Sequence, residues 1–271
     1  MSGVQQIGSS HPAVRQVIQL QRNAGGAEQA LTVAEGLWAN QVVRDSDVDV
    51  PVLLVCPEAL RGPEAKDVAE ALAERAHESF QISLRTLERL AERDKPDGLI
   101  TVVAMPQWSP SDVQFGDRAL VLVADGIEQP GNLGTLVRTM DACGADCLVL
   151  TDARTKPNNI KVFRASHGTI LRVPTVRFDE TADAIGWLDA HGFQIYLADT
   201  DGADRYSDVP YAPRTAIVMG NERYGITEPW YRPSARKVFV PMLGVADSLN
   251  VSISAAILLY EARSRLSEWR G

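Results

Sequence analysis

The sequence predicts a two-domain α/β protein, and three observations carry that expectation. In the second half, continuous apolar runs alternate with helix-like segments, the order of a βαβ series built on a parallel sheet. In the first half, helical periodicity alternates with a strand-like apolar run, the pattern of a smaller α/β domain. Between them, Met-Pro-Gln-Trp-Ser-Pro-Ser-Asp at 105–112 places two prolines and two serines in eight residues and interrupts the periodicity. With 271 residues and 45% apolar content, the chain is long enough to bury a core in each part.

In order along the chain, the first domain (residues 1–106) opens with a helical pattern over Pro12–Leu20. An apolar strand follows at Val50–Val55, then a helix over Glu64–His77. Residues 107–117 read as a linker and 118–271 as the second domain. There Ala119–Ala124, Ala-Leu-Val-Leu-Val-Ala, lacks polar alternation and is expected as a strand buried on both faces. Similar runs recur at Cys147–Leu150, Gln194–Ala198, Ala216–Met219 and Lys237–Val240, with helix-like segments at Gly134–Cys143 and Thr181–His191. The chain closes with a helix over Leu249–Leu266, whose apolar start (Val251, Ile253, Ile257, Leu258, Leu259) gives way to Glu261, Arg263 and Arg265.

A formal charge of −8 argues against a protein that holds a polyanion by bulk electrostatics. Neither half is basic: residues 1–106 carry ten Lys and Arg against fifteen Asp and Glu, and the remainder seventeen against twenty. One stretch departs from this. Residues 151–172 hold Arg154, Lys156, Lys161, Arg164 and Arg172 against Asp152 alone, which on charge by itself reads as a solvated loop. The three cysteines, Cys56, Cys143 and Cys147, lack paired spacing and nearby histidines, so core packing is expected in place of disulfides or a metal site. No stretch approaches the roughly 18 apolar residues of a membrane span. The start, Met-Ser-Gly-Val-Gln-Gln, lacks the basic and apolar regions of a secretory signal, so a cytoplasmic protein is expected.

Ligands of open parallel sheets bind beyond the carboxyl ends of the strands. Three loops there carry unusual turn chemistry: Asp125 to Arg138, containing Asn132-Leu-Gly134; Gly220-Asn-Glu222-Arg-Tyr-Gly225; and Pro241-Met242 through Asp247-Ser248-Leu249-Asn250. No Gly-x-Gly occurs anywhere, which removes the dinucleotide fingerprint and with it a nicotinamide dehydrogenase. Gly220 and Gly225 have P-loop spacing, but Ile226 stands where a phosphate-binding Lys is required. Taken singly, each loop is explained by ordinary turns and helix caps.

In this order and at these strand ends, however, the three loops closely resemble the signature motifs of the SpoU family of RNA 2′-O-ribose methyltransferases. The first is matched by Asp125–Arg138, the second by Val218-Met-Gly-Asn-Glu222, and the third by Val240-Pro-Met242 with Ser248-Leu-Asn-Val-Ser252. Arg164-Ala-Ser-His-Gly168 is similar to the family's Arg-x-Ser-x-Gly segment. Two departures are Asp247, where Glu is frequent, and Arg223, where Gly is frequent.

The resemblance implies a trefoil-knotted α/β (SPOUT) domain, an exception to unknotted topology, and a homodimer with the active site at the subunit interface. More weakly, Thr32–Gly36 marks residues 1–106 as similar to the L30-type α/β domain with which many members grip RNA. S-adenosylmethionine is the implied cofactor, held by Thr200, Met219, Gly220, Val240, Met242, Ser248, Leu249 and Asn250, and no metal is called for. On the acceptor side the resemblance implies Arg138, with Asn132, Glu222, Ser248 and Asn250 orienting the hydroxyl. A guanidinium keeps its proton in proteins, so Arg138 acts either as a base in an unusual pocket or, more in keeping with its charge, by holding phosphate and the developing alkoxide. Its ordinary alternative is a surface helix arginine paired with Asp141. His167 is a second candidate base. The basic tract becomes an RNA-phosphate site through Lys161, Arg164, Ser166 and Arg172.

The expected substrate is 23S ribosomal RNA, because the extra amino-terminal domain is often absent from minimal tRNA enzymes of this type. Methylation of tRNA and a non-catalytic ribosome-binding factor of the same fold are the alternatives, and both housekeeping and antibiotic-resistance roles remain open. All four of Asn132, Arg138, Glu222 and Asn250 are present, which favours an enzyme.

Overall fold

The computed structural model describes residues 4–22, 30–92 and 94–266. The chain forms two compact units: residues 1–106 with 157–171, and residues 107–156 with 172–271. Along the chain run β1 (Gln5–Ile7), α1 (Pro12–Arg22), β2 (Leu31–Glu35), α2 (Leu37–Arg44), β3 (Val52–Val55), α3 (Gly62–Arg75), β4 (Glu78–Ile82), α4 (Leu84–Leu90) and β5 (Leu99–Ala104). There follow β6 (Ala119–Asp125), α5 (Pro130–Cys143), β7 (Cys147–Thr151), α6 (Ile160–Ala165), β8 (Thr175–Arg177), α7 (Thr181–Ala190), β9 (Gln194–Ala198), β10 (Asp204–Arg205), β11 (Arg214–Met219), β12 (Arg236–Phe239) and α8 (Val251–Leu266).

The first unit is a five-stranded mixed sheet in the order β1-β4-β3-β5-β2, with β5 antiparallel to both neighbours. Val14, Val17, Leu54, Ile82, Leu87 and Ile100 fill its core, and so does Ile160 from α6. Asn159 caps α6, accepting from the Lys161 backbone N–H at 2.9 Å. Arg164 on this helix pairs with Glu35 at 2.9 Å and with Glu92. Ser166 is buried, its hydroxyl donating to the Phe163 carbonyl. His167 adopts a positive φ and meets the edge of Trp38 at 4.6 Å. Gly168 also has positive φ, and an added Cβ would lie 3.1 Å from Val42. The Arg-x-Ser-x-Gly segment is therefore a packed clasp of the first unit, and a chain lacking 1–106 would strip α6 of its core.

That arrangement yields a first expected result. Arg164→Ala leaves the Glu35 side chain, 3% exposed, without its cation, and should lower the stability of this unit by on the order of 2 kcal/mol. The midpoint of urea unfolding measures it, and an unchanged midpoint would show that the ion pair contributes nothing.

The second unit is a seven-stranded, wholly parallel sheet in the order β10-β12-β9-β11-β6-β7-β8. Every residue of β6 and β7 is buried, as strands covered on both faces require. α5 opens on Pro130 and ends at Gly144 in the left-handed region, whose N–H returns to Asp141 and Met140. Arg263 of α8 then hydrogen-bonds the last carbonyls of α5, at Cys143 and Gly144. Asn250 caps α8 by accepting from Ser252 N–H. All three cysteines are buried, and burial pushes the Cys147 thiol up to about 12. Among the described residues no helix is long and apolar enough to cross a membrane.

Candidate active site

In register, Met219 of β11 lies beside Ala124 of β6, and Ala198 of β9 beside Val238 of β12, so four loops leave the sheet from one edge. They enclose a cavity of about 490 Å³, within the ~300–1,000 Å³ usual for small-molecule sites. Thr200, Met219, Gly220, Val240, Met242, Ser248, Leu249 and Asn250 all border it, and so do Asn132 and Glu222. Its buried lining combines the apolar Met219, Ile226, Val238 and Leu258 with the polar Asn221, whereas Ser248, Leu249 and Asn250 are exposed.

The loop after β11 owes its shape to struts that local sequence reading did not single out. The Asn221 side chain accepts from the N–H groups of Arg223 (2.8 Å) and Tyr224 (3.0 Å) and donates to the Gly126 carbonyl (2.7 Å). The backbones of Asn221 and Gly225 bond each other in both directions, with Gly225 at φ +72°. Asp125, fully buried, accepts from the Thr151 hydroxyl (2.8 Å) and the Thr227 N–H (2.7 Å). Gly220 is required by this packing, since an added Cβ would sit 2.3 Å from the backbone of Gly225 and Ile226.

Three acceptor-side candidates form one polar chain. The Asn132 amide donates to Glu222 at 2.8 Å, and the Asn250 amide donates to the Asn132 oxygen at 3.1 Å. The Ser252 hydroxyl adds a bond to the Asn132 carbonyl at 3.2 Å. Glu222 also accepts from the N–H groups of Glu128 and Gln129. Burial pushes its carboxyl up, but these hydrogen bonds, Asn132's first among them, outweigh that and hold it below its ordinary value. The result is an anionic anchor whose two amides stay in fixed orientation. Ser248 stands outside this chain, its hydroxyl bonded to Asp247 at 3.3 Å.

Also bordering the cavity, Tyr231 donates to Asp199 at 2.9 Å, and Lys237 approaches the same carboxylate at 3.6 Å. Burial and then Asp199 push the Tyr231 phenol up to about 12, so it remains a donor. Asp199 was not anticipated from the sequence, although it directly follows the β9 run and precedes Thr200.

Arg138 lies elsewhere. It is exposed on α5 and is not among the residues that line the cavity. Six residues past Asn132 is about 600° of helix, so the two side chains leave α5 roughly 120° apart. The four tract residues are divided too: Lys161, Arg164 and Ser166 belong to the first unit, and Arg172, exposed, to the second. Of these, Arg164 is committed to Glu35 and Glu92, Ser166 is buried, and Lys161 is exposed. His167 also falls in the first unit. Apolar side chains remain exposed near the third loop, with Leu243 and Val245 fully so, and Ile253 and Tyr260, seven residues apart, share one face of α8.

Residues 119–260 match the profile of the SpoU rRNA Methylase family. The 23S rRNA (guanosine(2553)-2'-O)-methyltransferase RlmP of Bacillus subtilis strain 168 is 30% identical over 184 residues, 68% of this chain and 72% of that protein. The 23S rRNA (uridine(2479)-2'-O)-methyltransferase of Streptomyces viridochromogenes is 31% identical over 188 residues, 67% of this chain and 66% of that protein. Among solved structures, the AdoMet-bound rRNA methyltransferase from Sinorhizobium meliloti superposes with a TM-score of 0.86 at 26% identity, covering 98% of this chain and 99% of that one.

Proposed function

The chain belongs to the SpoU rRNA methylase family, and on that premise we propose that it transfers the methyl group of S-adenosylmethionine to a ribose 2′-hydroxyl of 23S ribosomal RNA. Its fold class is the one that the motifs implied, a SPOUT-type α/β methyltransferase domain preceded by a smaller α/β domain. The observation that carries the reading is the cavity at the strand ends, bounded by the three motif loops, with the Glu222–Asn132–Asn250 chain on its wall.

The residues present suit the donor. Backbone groups at Gly220, Val240, Met242 and Leu249 face a cavity whose wall includes Met219, Ile226 and Leu258, a combination that fits an adenine and ribose. Asp199 supplies a carboxylate for hydroxyl or ammonium groups. When bound, the sulfonium supplies an already activated methyl. The chain's own task is to present the acceptor. The polar chain fixes two amides at the cavity wall to orient the hydroxyl and its nucleotide. Arg138 supplies the cation for the flanking phosphate and the developing alkoxide.

Because Arg138 is exposed and does not line the cavity of its own chain, we assign it to the site of a second copy. Leu243, Val245, Ile253 and Tyr260 then form the apolar surface of a homodimer. We assign the grip on RNA to the first unit. There α1 presents Arg15, Ile18, Gln19 and Arg22 on one face, and with Arg89 of α4 they border an open surface depression. None of the three arginines makes an ion pair among the described residues. This local site answers the overall acidity better than the tract at 151–172. A cytoplasmic location accords with an RNA substrate.

Two measurements test the reading. Calorimetry should show S-adenosylmethionine binding that is unaltered by excess chelator, and binding of NADH in its place would refute it. Ribose-methylation mapping of ribosomal RNA from cells with and without the protein should lose one 2′-O-methyl position in 23S RNA. A loss confined to tRNA would move the substrate assignment.

A further inference from the structure

Two residues beyond Glu222, Tyr224 stands 65% exposed at the tip of the turn after β11. Burying an aromatic ring is favourable, so a fixed and open one marks a surface awaiting a flat partner. Its position is set by the backbone: Asn221 holds the Arg223 and Tyr224 N–H groups, and the Asn221–Gly225 bridge closes the turn. Two guanidiniums flank the ring, Arg223 at 5.3 Å and Arg154 at 5.8 Å from its centroid. They differ in freedom. Arg154 is braced by Glu128 at 2.7 Å and Asp152 at 3.1 Å, whereas Arg223 makes no ion pair among the described residues. Glu128 in turn donates its N–H to Glu222, which ties the brace to the acceptor-side anchor. Arg223 is also the residue with which this chain departs from the glycine frequent in the family motif.

We propose that Tyr224, backed by Arg154, is a stacking platform for an unpaired nucleobase beside the methylated nucleotide, and that Arg223 binds that base's phosphate. The proposal rests on the RNA methyltransferase reading and extends it to recognition. Single-stranded RNA is held in this way elsewhere, with bases stacked on aromatic or guanidinium planes and phosphates paired to cations. A splayed base stacked here would present its neighbour's ribose toward Asn132 and Glu222, which coupling through Glu128 keeps in register with the ring. The platform therefore selects RNA whose target lies in a loop or bulge over RNA whose target is in a duplex.

The test compares full-length wild type, Tyr224→Ala, Tyr224→Phe and Arg223→Ala, reading anisotropy of a fluorescein-labelled oligoadenylate with no methyl donor present. Tyr224→Ala should weaken binding roughly 5- to 100-fold, the range for loss of one base–aromatic stack, while Phe retains wild-type affinity because the ring is kept. Arg223→Ala should reduce the salt dependence of log K by about one phosphate contact. In steady-state turnover of ribosomal RNA, Tyr224→Ala should raise KM for RNA more than it lowers kcat, and donor affinity by calorimetry should not move. Wild-type affinity in Tyr224→Ala, equal loss in Tyr224→Phe, or a fall to monomer mass in light scattering would each overturn the platform. Methyl transfer by wild type is scored separately, so a failure of the enzymatic reading is distinguishable from a failure of the platform.

Discussion

Arg138→Ala is expected to slow methyl transfer by roughly 10²–10⁴-fold, the loss that follows removal of a group acting directly on a proton or developing charge. Donor affinity should stay close to wild type, because Arg138 does not line the donor cavity of its chain. A surface arginine serving only helix stability would cost little in rate, so single-turnover kinetics separate the two roles. Arg138→Lys keeps the charge and loses the planar fork, and should recover little if contact with phosphate is bidentate. The exposed position on α5 adds a sharper test. If the site is shared across a homodimer, light scattering gives about twice the 29.5 kDa chain mass. Mixing Arg138→Ala chains with chains disabled in the donor loop should then restore part of the activity, since one site per heterodimer combines an intact loop with an intact arginine. No recovery from two inactive parents would place Arg138 in its own chain's site.

Gly220→Ala is expected to abolish measurable donor binding and to destabilise the second unit by about 1–3 kcal/mol, the cost typical of forcing a methyl into packed backbone. The added Cβ would fall 2.3 Å from Gly225 C and Ile226 N, and nothing there is the flexible end of a side chain. The turn must open, and with it the Asn221 struts and the placement of Glu222. A crowding of the donor itself would predict weaker binding at unchanged stability, so calorimetry and thermal unfolding together identify the cause. Gly131→Ala on α5, where an added Cβ meets nothing within 4 Å, serves as the control. Donor affinity for Gly220→Ala equal to that of Gly131→Ala would reject the packing argument.

The same contrast explains what reading the chain could reach. Ala119–Ala124 and Gln194–Ala198 were legible as buried strands because two-sided burial erases polar alternation, and the structure places both in the parallel sheet. The helix expected from Leu249 begins at Val251, since Asn250 is spent as its cap. β5, Leu-Ile-Thr-Val-Val-Ala, carries the same apolar signal, which the proline-rich break directly after it obscures. The three-residue β1 and β8 hold too little pattern to declare themselves.

By itself, then, the sequence determined the two-domain α/β class, the parallel sheet and the three loops that bound the cavity, because period, turn chemistry and motif order are properties of neighbouring residues. Only the tertiary structure decided which charges are free and which small residues are structural. Arg164 reads as one of five basic residues until Glu35, 129 positions away, and Glu92, 72 away, are found to hold it. Gly220 reads as a cofactor-binding position until the backbone of Gly225 and Ile226 is found against it. Asn221 reads as a turn residue until its amide meets Gly126, 95 positions earlier. Each of these depends on a partner that only the closed fold brings near. A free cation, a strut and a required glycine are defined by what lies across space from them, and that proximity is set when the sheet and its loops pack.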